Sequence, residues 1–176
     1  MGKTTTAKAL QKLVRQPFLH VQGDAFLDMI APQMWGDPEG IIFRQFDEVG
    51  VPSIEIRMGS TVDSLMEGMR ASVAALARAG NNCIVDDVML SPKDQQSYLE
   101  ACTGIRLEFV ALHAPLAILE QRERERGDRL IGLSRWQYAR VHQGIIYNFE
   151  IETLAHNTDD IARTIASALD IPIADS

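Results

Sequence analysis

A chain of 176 residues with 46% apolar and 23% charged residues is long enough to bury a core, and its composition is that of an ordinary soluble globular domain. A net charge of −7 argues against non-specific binding to nucleic acid or to an anionic membrane, so neither is expected as a partner. No signal-type segment or long apolar span appears, which makes the cytoplasm the expected compartment. The two cysteines, Cys83 and Cys102, lack the spacing of a metal pair; Cys83 sits in an apolar run and reads as a buried thiol in a reducing compartment. Without repeats or low-complexity tracts, residues 1–176 read as one domain.

The chain opens Met1-Gly2-Lys3-Thr4-Thr5-Thr6. Gly-Lys-Thr leading into a helix is the second half of a phosphate-binding loop, whose full form follows a buried strand and starts with a further glycine. Ala7, Leu10, Leu13 and Val14 recur at helical spacing and Pro17 ends the run, which predicts a helix over 3–15. Amide groups at such a helix start, here Gly2 to Thr5, point at an anion, and the helix dipole favours negative charge there. Lys3 would then reach the β- and γ-phosphates, and the Thr4 hydroxyl would ligate Mg²⁺. The same three residues can also be a chance match in a disordered start.

Phe18 to Val21 is a short strand, followed by Gly23-Asp24. Asp24 is placed to cap a short helix through Ile30, which Pro32 stops. A carboxylate at a strand end can equally accept the proton of a substrate hydroxyl during phosphoryl transfer, and spacing does not separate the two roles. Residues 33–59 are irregular and rich in Gly and Pro, with room for a small hairpin. A stretch this long is usually functional. Its Met34, Trp35, Phe43 and Phe46 would either wall a pocket for a partly apolar substrate or form a minor core beneath the loop.

Val62, Leu65, Met66, Met69, Val73, Leu76 and Ala77 form one stripe of a helix over 60–79, closed by Gly80. Cys83-Ile84-Val85, ending in Asp86-Asp87, reads as a buried parallel strand. Helices are expected over 92–102, 115–126 and 134–146, and strands over 107–113 and 149–153. Asn157 caps a last helix to Leu169, with Asp159 and Asp160 in its first turn. Strands alternating with helices imply an α/β fold with a parallel sheet, and ligands of such sheets bind at the carboxyl ends of the strands. Asp24, Asp86 and Asp87 all fall there.

An acidic pair after an apolar strand suits Mg²⁺ binding, although Asp is also common in strand-end turns. Neighbours on a strand point opposite ways, so Asp86 is assigned to the metal and Asp87 is counted with the substrate residues. In the run Glu120 to Arg129, Arg122 and Arg126 share a helix face, Gly127 ends the helix and Arg129 lies just beyond. Three guanidinium groups can converge there on phosphate, which makes 122–133 a lid-like segment. The interleaved Glu123 and Glu125 equally suit a solvated, salt-bridged helix. His20, His113, His142 and His156 have no metal spacing, and His142 reads as packed on an apolar helix.

Gly2-Lys3-Thr4, Gly23-Asp24-Ala25-Phe26, Ile84-Val85-Asp86-Asp87-Val88-Met89-Leu90, Glu123 through Arg126-Gly127-Asp128-Arg129, and Val141-His142-Gln143-Gly144-Ile145-Ile146-Tyr147 together resemble the chloramphenicol phosphotransferase-like family of P-loop kinases. The resemblance spans nearly the whole chain and is specific as a set. It implies a parallel-sheet P-loop NTPase fold, a three-layer sandwich like that of the nucleoside-monophosphate kinases. It implies ATP and Mg²⁺ as cofactors and a small-molecule hydroxyl as acceptor. Asp24 would be the base, Lys3 and Thr4 the ATP and Mg²⁺ residues, and Arg126 and Arg129 the phosphate clamps, with Gly2, Thr5 and Arg122 beside them. It also implies a first strand lying centrally, between the strands ending at Asp86 and at His113. That strand is missing from this sequence, and a wrongly assigned start or a deletion is expected. The alternatives are an inactive remnant that binds a ligand or partner, and a kinase for a sugar or nucleotide. The acceptor and the oligomeric state stay open.

Overall fold

In a computed structural model the chain is described over residues 2–126 and 130–174. Helix α1 (Lys3–Leu13) starts at Gly2, whose left-handed backbone (φ 83°) turns the chain into the helix. The Thr6 amide closes the first turn on the Gly2 carbonyl at 2.8 Å, leaving the amides of Lys3, Thr4 and Thr5 at the open helix end. Strand β1 (Phe18–Gln22) then leads into helix α2 (Gly23–Leu27). After a 3₁₀ turn (Pro32–Met34) come β2 (Ile41–Glu48), β3 (Val51–Met58) and the long helix α3 (Ser60–Arg78). The remainder alternates: β4 (Asn82–Asp86), α4 (Pro92–Ala101), β5 (Val110–His113), α5 (Leu116–Arg126), α6 (Leu133–Tyr138), β6 (Phe149–Glu152) and α7 (Thr158–Ala168).

The parallel strands form two pairs. β1 lies beside β4 with Phe18 opposite Asn82 and Gln22 opposite Asp86. β5 lies beside β6 with Val110 opposite Phe149 and His113 opposite Glu152. Among the described residues β4 and β5 do not pair. A cavity of about 590 Å³ separates them, with Ile84 and Val85 on one wall, Val110 and Leu112 on the other, and Leu10 and Ile165 beneath. The strands ending at Asp86 and at His113 are therefore flanking strands with a gap between them, as the resemblance implied.

Two core clusters hold the layers together, and the first reaches both strand pairs, with Phe18 and Ile84 packed against it as well as Val110 and Phe149. Leu10 and Val14 of α1 pack with Ile161 and Ile165 of α7, and with Leu112 and Ile151 beneath them. Val62, Met66 and Met69 of α3 pack with Ile41 and Tyr98. Burial of each such side chain contributes about 1.5–3 kcal/mol, so the helices α1, α7 and α3 tie the two strand pairs into one body.

The irregular region holds the hairpin that its length allowed. β2 and β3 are antiparallel, joined by a two-residue turn at Val49 (φ 53°) and Gly50 (φ 77°). Three expectations need correction. The helix expected over 134–146 stops at Tyr138, because His142 (φ 79°) and Gly144 (φ 69°) take left-handed backbone that no helix admits. The strand expected from Leu107 begins at Val110, since residues 107–109 find no strand neighbour. Asp24 lies in the first turn of α2, where Gln22 is the capping residue. Asn157 does cap α7, accepting the Asp160 amide at 2.9 Å. No helix among the described residues is long and apolar enough to cross a membrane.

Candidate active site

The open end of α1 meets the carboxyl end of β4. The Thr4 hydroxyl donates to Asp86 Oδ2 at 2.5 Å, and Lys3 Nζ lies 3.8 Å from Asp86 Oδ1. Only 8% of the Asp86 side chain is exposed, so the carboxylate is held by these neighbours instead of water. A hydroxyl and a carboxylate are hard oxygen donors of the kind Mg²⁺ prefers, and Mg²⁺ takes its remaining ligands from phosphate and water. Among the described residues no three His, Cys, Asp or Glu side chains gather into a metal site. The donor set thus fits a cation shared with a phosphate ligand, and it does not make a protein cage.

Asp87 turns the other way, as strand alternation requires. It accepts the Tyr98 hydroxyl at 2.8 Å and the Val88 amide at 2.7 Å. Burial holds its carboxyl above the usual carboxylate range, against the pull of those two bonds and of Arg70. Burial, with the Asp87 charge behind it, pushes the Tyr98 hydroxyl well up. Arg70 lies over the Tyr98 ring at 5.3 Å and pairs with Asp94 at 2.8 Å. Asp87 still lines the larger cavity. Asp24 is exposed, one residue beyond buried Gly23 at the carboxyl end of β1.

A second cavity of about 280 Å³ runs from Lys3 to His113, Leu119, Ser134, Tyr138 and His142. His142 is thus a cavity residue, in place of the packed helical one expected from sequence. Its left-handed backbone brings Nδ1 within 2.7 Å of the Tyr147 hydroxyl and its ring centre within 4.4 Å of that of His113. His113 Nε2 in turn lies 2.7 Å from Glu150. Burial lowers the His142 pKa, helped by His113, and pushes Tyr147 up to about 12, so both are neutral at pH 7. The signal was present in the Val-His-x-Gly-x-x-Tyr spacing, which puts a turn glycine and a phenol just after the imidazole.

The arginine segment is only partly in view. Arg122 is exposed on α5, whereas Arg129 and the Arg126 side chain lie outside the described residues. Glu123 is not the solvated partner its neighbours suggested. It is 3% exposed, and its carboxylate accepts the amides of Gly132 and Ser134 at 2.8 and 2.7 Å. It therefore ties α5 to the start of α6, and Glu120 adds an ion pair to Arg135 at 2.5 Å.

The aromatics of the insertion separate into two places. Trp35 stacks on Phe43 at 6.0 Å between ring centres, and Phe43 packs against the core around Ile41. Phe46 lies further along β2 and is exposed, and Met34 sits in the 3₁₀ turn. None of the four lines either cavity at Lys3. The hairpin instead reaches α6, where the Ile54 amide donates to the Gly132 carbonyl at 3.1 Å.

Parallel strands flanked by helices, with a Lys-Thr helix start facing a strand-end aspartate, define a P-loop kinase fold. Solved structures share it. A sugar kinase from Janibacter superposes with a TM-score of 0.67 at 18% identity, over 97% of this chain and 88% of that one. The Mycobacterium tuberculosis APS kinase, solved with AMPPNP and APS, gives 0.63 at 11%, over 96% and 91%. The Deinococcus radiodurans tunicamycin resistance protein gives 0.64 at 15%, over 98% and 93%. The chain belongs to the chloramphenicol phosphotransferase-like family, whose profile matches residues 1–170. Two Mycobacterium tuberculosis proteins that carry the provisional name O-phosphotransferase are 28% identical to it over 169 residues, covering 93% of this chain and 75% of theirs. The chain is thus a member of a phosphotransferase family with a kinase fold.

Proposed function

We propose that this chain transfers the γ-phosphoryl group of ATP to a hydroxyl of a small molecule, with Mg²⁺. The observation that carries the reading is the meeting of Lys3, Thr4 and Asp86 at the open end of α1. Lys3 and the helix-start amides of Gly2 to Thr5 hold the phosphate chain, placing positive charge where negative charge shifts in the transition state. Thr4 and Asp86 hold the cation, which when bound draws charge from the phosphate oxygens. Asp24 accepts the acceptor's hydroxyl proton as the new oxygen–phosphorus bond forms and the bond to ADP breaks. Arg122, Arg126 and Arg129 clamp the transferring group. Asp87, Met34, Trp35, Phe43 and Phe46 are assigned to the acceptor side.

That β4 and β5 do not pair among the described residues favours a second reading, a chain that binds a ligand without turning it over. The sugar and APS kinases of the same fold also bring sugars and nucleotides into the acceptor panel. A thermal melt with and without Mg-ATP, followed by ADP release over a panel of alcohols, tests the proposal. A stabilising shift and acceptor-dependent ADP release are expected. A shift without release from any alcohol would favour the binding module, and no shift would sink both the kinase and its nucleotide.

A further inference from the structure

His20 has no part in the chemistry above, yet its side chain is 7% exposed and turned into the site. It sits on β1 opposite Ile84, two residues before the end of the paired strand, so its ring reaches the Asp86 carboxylate from the neighbouring strand. Its Nε2 lies 3.6 Å from Asp86 Oδ2, beyond hydrogen-bond length, and has no other partner among the described residues. Its Nδ1 lies 3.2 Å from the Gln22 side-chain nitrogen, two residues on and on the same face of the strand. An amide nitrogen only donates. With the Gln22 amide turned this way Nδ1 is the acceptor, which assigns the ring proton to Nε2, the atom aimed at Asp86.

A buried N–H with nothing to bond is costly, and hydrogen bonds at catalytic carboxylates are often long until the ligand is in place. Resting on the reading of a Mg²⁺-dependent ATP site, we propose that His20 is a positioning residue for Asp86. Its Nε2–H closes on Oδ2 and fixes the rotation of the carboxylate that, with Thr4, would hold the cation. Gln22 holds the tautomer that makes this possible. Outer partners of this kind orient metal ligands and typically change metal affinity 10–100-fold when removed.

Calorimetric titration with AMPPNP, with Mg²⁺ and with EDTA, tests this on the whole chain. In the wild type Mg²⁺ should tighten AMPPNP binding. In His20→Leu that gain should shrink about tenfold while binding in EDTA stays unchanged. His20→Gln, whose amide nitrogen falls near the Nε2 position, should restore the gain; His20→Asn, one carbon shorter, should not. The Gln and Asn pair carries the test if the leucine variant fails to fold. A wild-type gain in His20→Leu, or equal losses in the Gln and Asn variants, would overturn the proposal, because packing alone would then account for His20. A wild type that binds AMPPNP with no Mg²⁺ gain would overturn the Mg-ATP reading itself, and this proposal with it. Independently of any ligand, ¹⁵N spectra should show His20 protonated at Nε2, and an Nδ1–H tautomer would also overturn it.

Discussion

Thr4 donates its hydroxyl to Asp86 across 82 residues of sequence, at 2.5 Å. The bond joins the helix start that would cradle phosphate to the strand end that would hold the cation. Two residues acting on one ion should not contribute independently. Thr4→Ala and Asp86→Asn are each expected to weaken Mg·AMPPNP binding, with a coupling of about 1 kcal/mol or more between them in a double-mutant cycle. Calorimetry on the two single variants and the double variant measures this, and strict additivity would show that the pair does not share a ligand.

Lys3 and Asp24 should separate in kinetics. In the proposed reaction Lys3 would meet the phosphate chain, so Lys3→Ala should lower kcat by about 10²-fold or more and weaken nucleotide binding as well. Asp24 as the proposed base would meet the acceptor's proton and not the nucleotide, so Asp24→Asn should lower kcat by about 10²–10⁴-fold with nucleotide affinity unchanged. Initial rates with an acceptor from the panel, beside AMPPNP titrations, distinguish the two. Full turnover in Asp24→Asn would remove Asp24 from the base's role.

Why some of this was readable from the sequence is physical. Lys3, Thr4 and Asp86 sit at element ends, where helix amides and strand alternation leave few orientations open, and spacing alone brought them to one place. The long helix α3 and the capped helix α7 were legible because their stripes and caps are local. Glu123 was not, since nothing local distinguishes a carboxylate that bonds the Gly132 and Ser134 amides from one that faces water. His142 was missed because an apolar run around it imitates a helix, while its left-handed backbone is set by contacts to His113 and Tyr147. The split between β4 and β5 followed from the family resemblance, as no periodicity reports which strands are neighbours.

Gly132 joins the hairpin to the arginine segment. Its φ of 103° suits glycine, and a Cβ there would come within 2.6 Å of the Pro52 carbonyl oxygen. Gly132→Ala should therefore cost about 2 kcal/mol, lowering the melting temperature by roughly 4–8 °C. It should also loosen the Ile54 bond to the Gly132 carbonyl, and so speed exchange of the Ile54 amide. A melt and an Ile54 exchange rate matching the wild type would show that the hairpin does not depend on this contact.

The hairpin turn carries a cost that nothing offsets. Val49 is 100% exposed at φ 53°, where a β-branched residue is disfavoured by roughly 1–2 kcal/mol. Asn-Gly is the preferred pair for a two-residue turn with both residues left-handed. Val49→Asn loses no buried contact and should stabilise the protein by about 1 kcal/mol, read as a higher denaturant midpoint at unchanged slope. A lower midpoint would mean that Val49 packs against something in solution.

Asp87 gives stability a pH dependence of definite sign. Burial raises its pKa in the folded protein above the unfolded value, so the folded state holds its proton to higher pH than the unfolded chain does. From the ordinary carboxylate pKa of about 4 upward, the unfolded state gives up that proton first, and stability falls as pH rises through the folded pKa. Asp87→Asn keeps an acceptor for the Tyr98 hydroxyl and has no proton to lose. Its melting temperature relative to wild type should therefore rise as pH goes up from about 4, and level off above the folded pKa. Melts of both proteins across this range isolate the effect, since every other titrating group is common to both. A difference that stays flat, or that shrinks as pH rises, would mean that the Tyr98 and Val88 bonds, with Arg70 behind them, outweigh burial and hold the Asp87 carboxylate ionised at no cost to the fold.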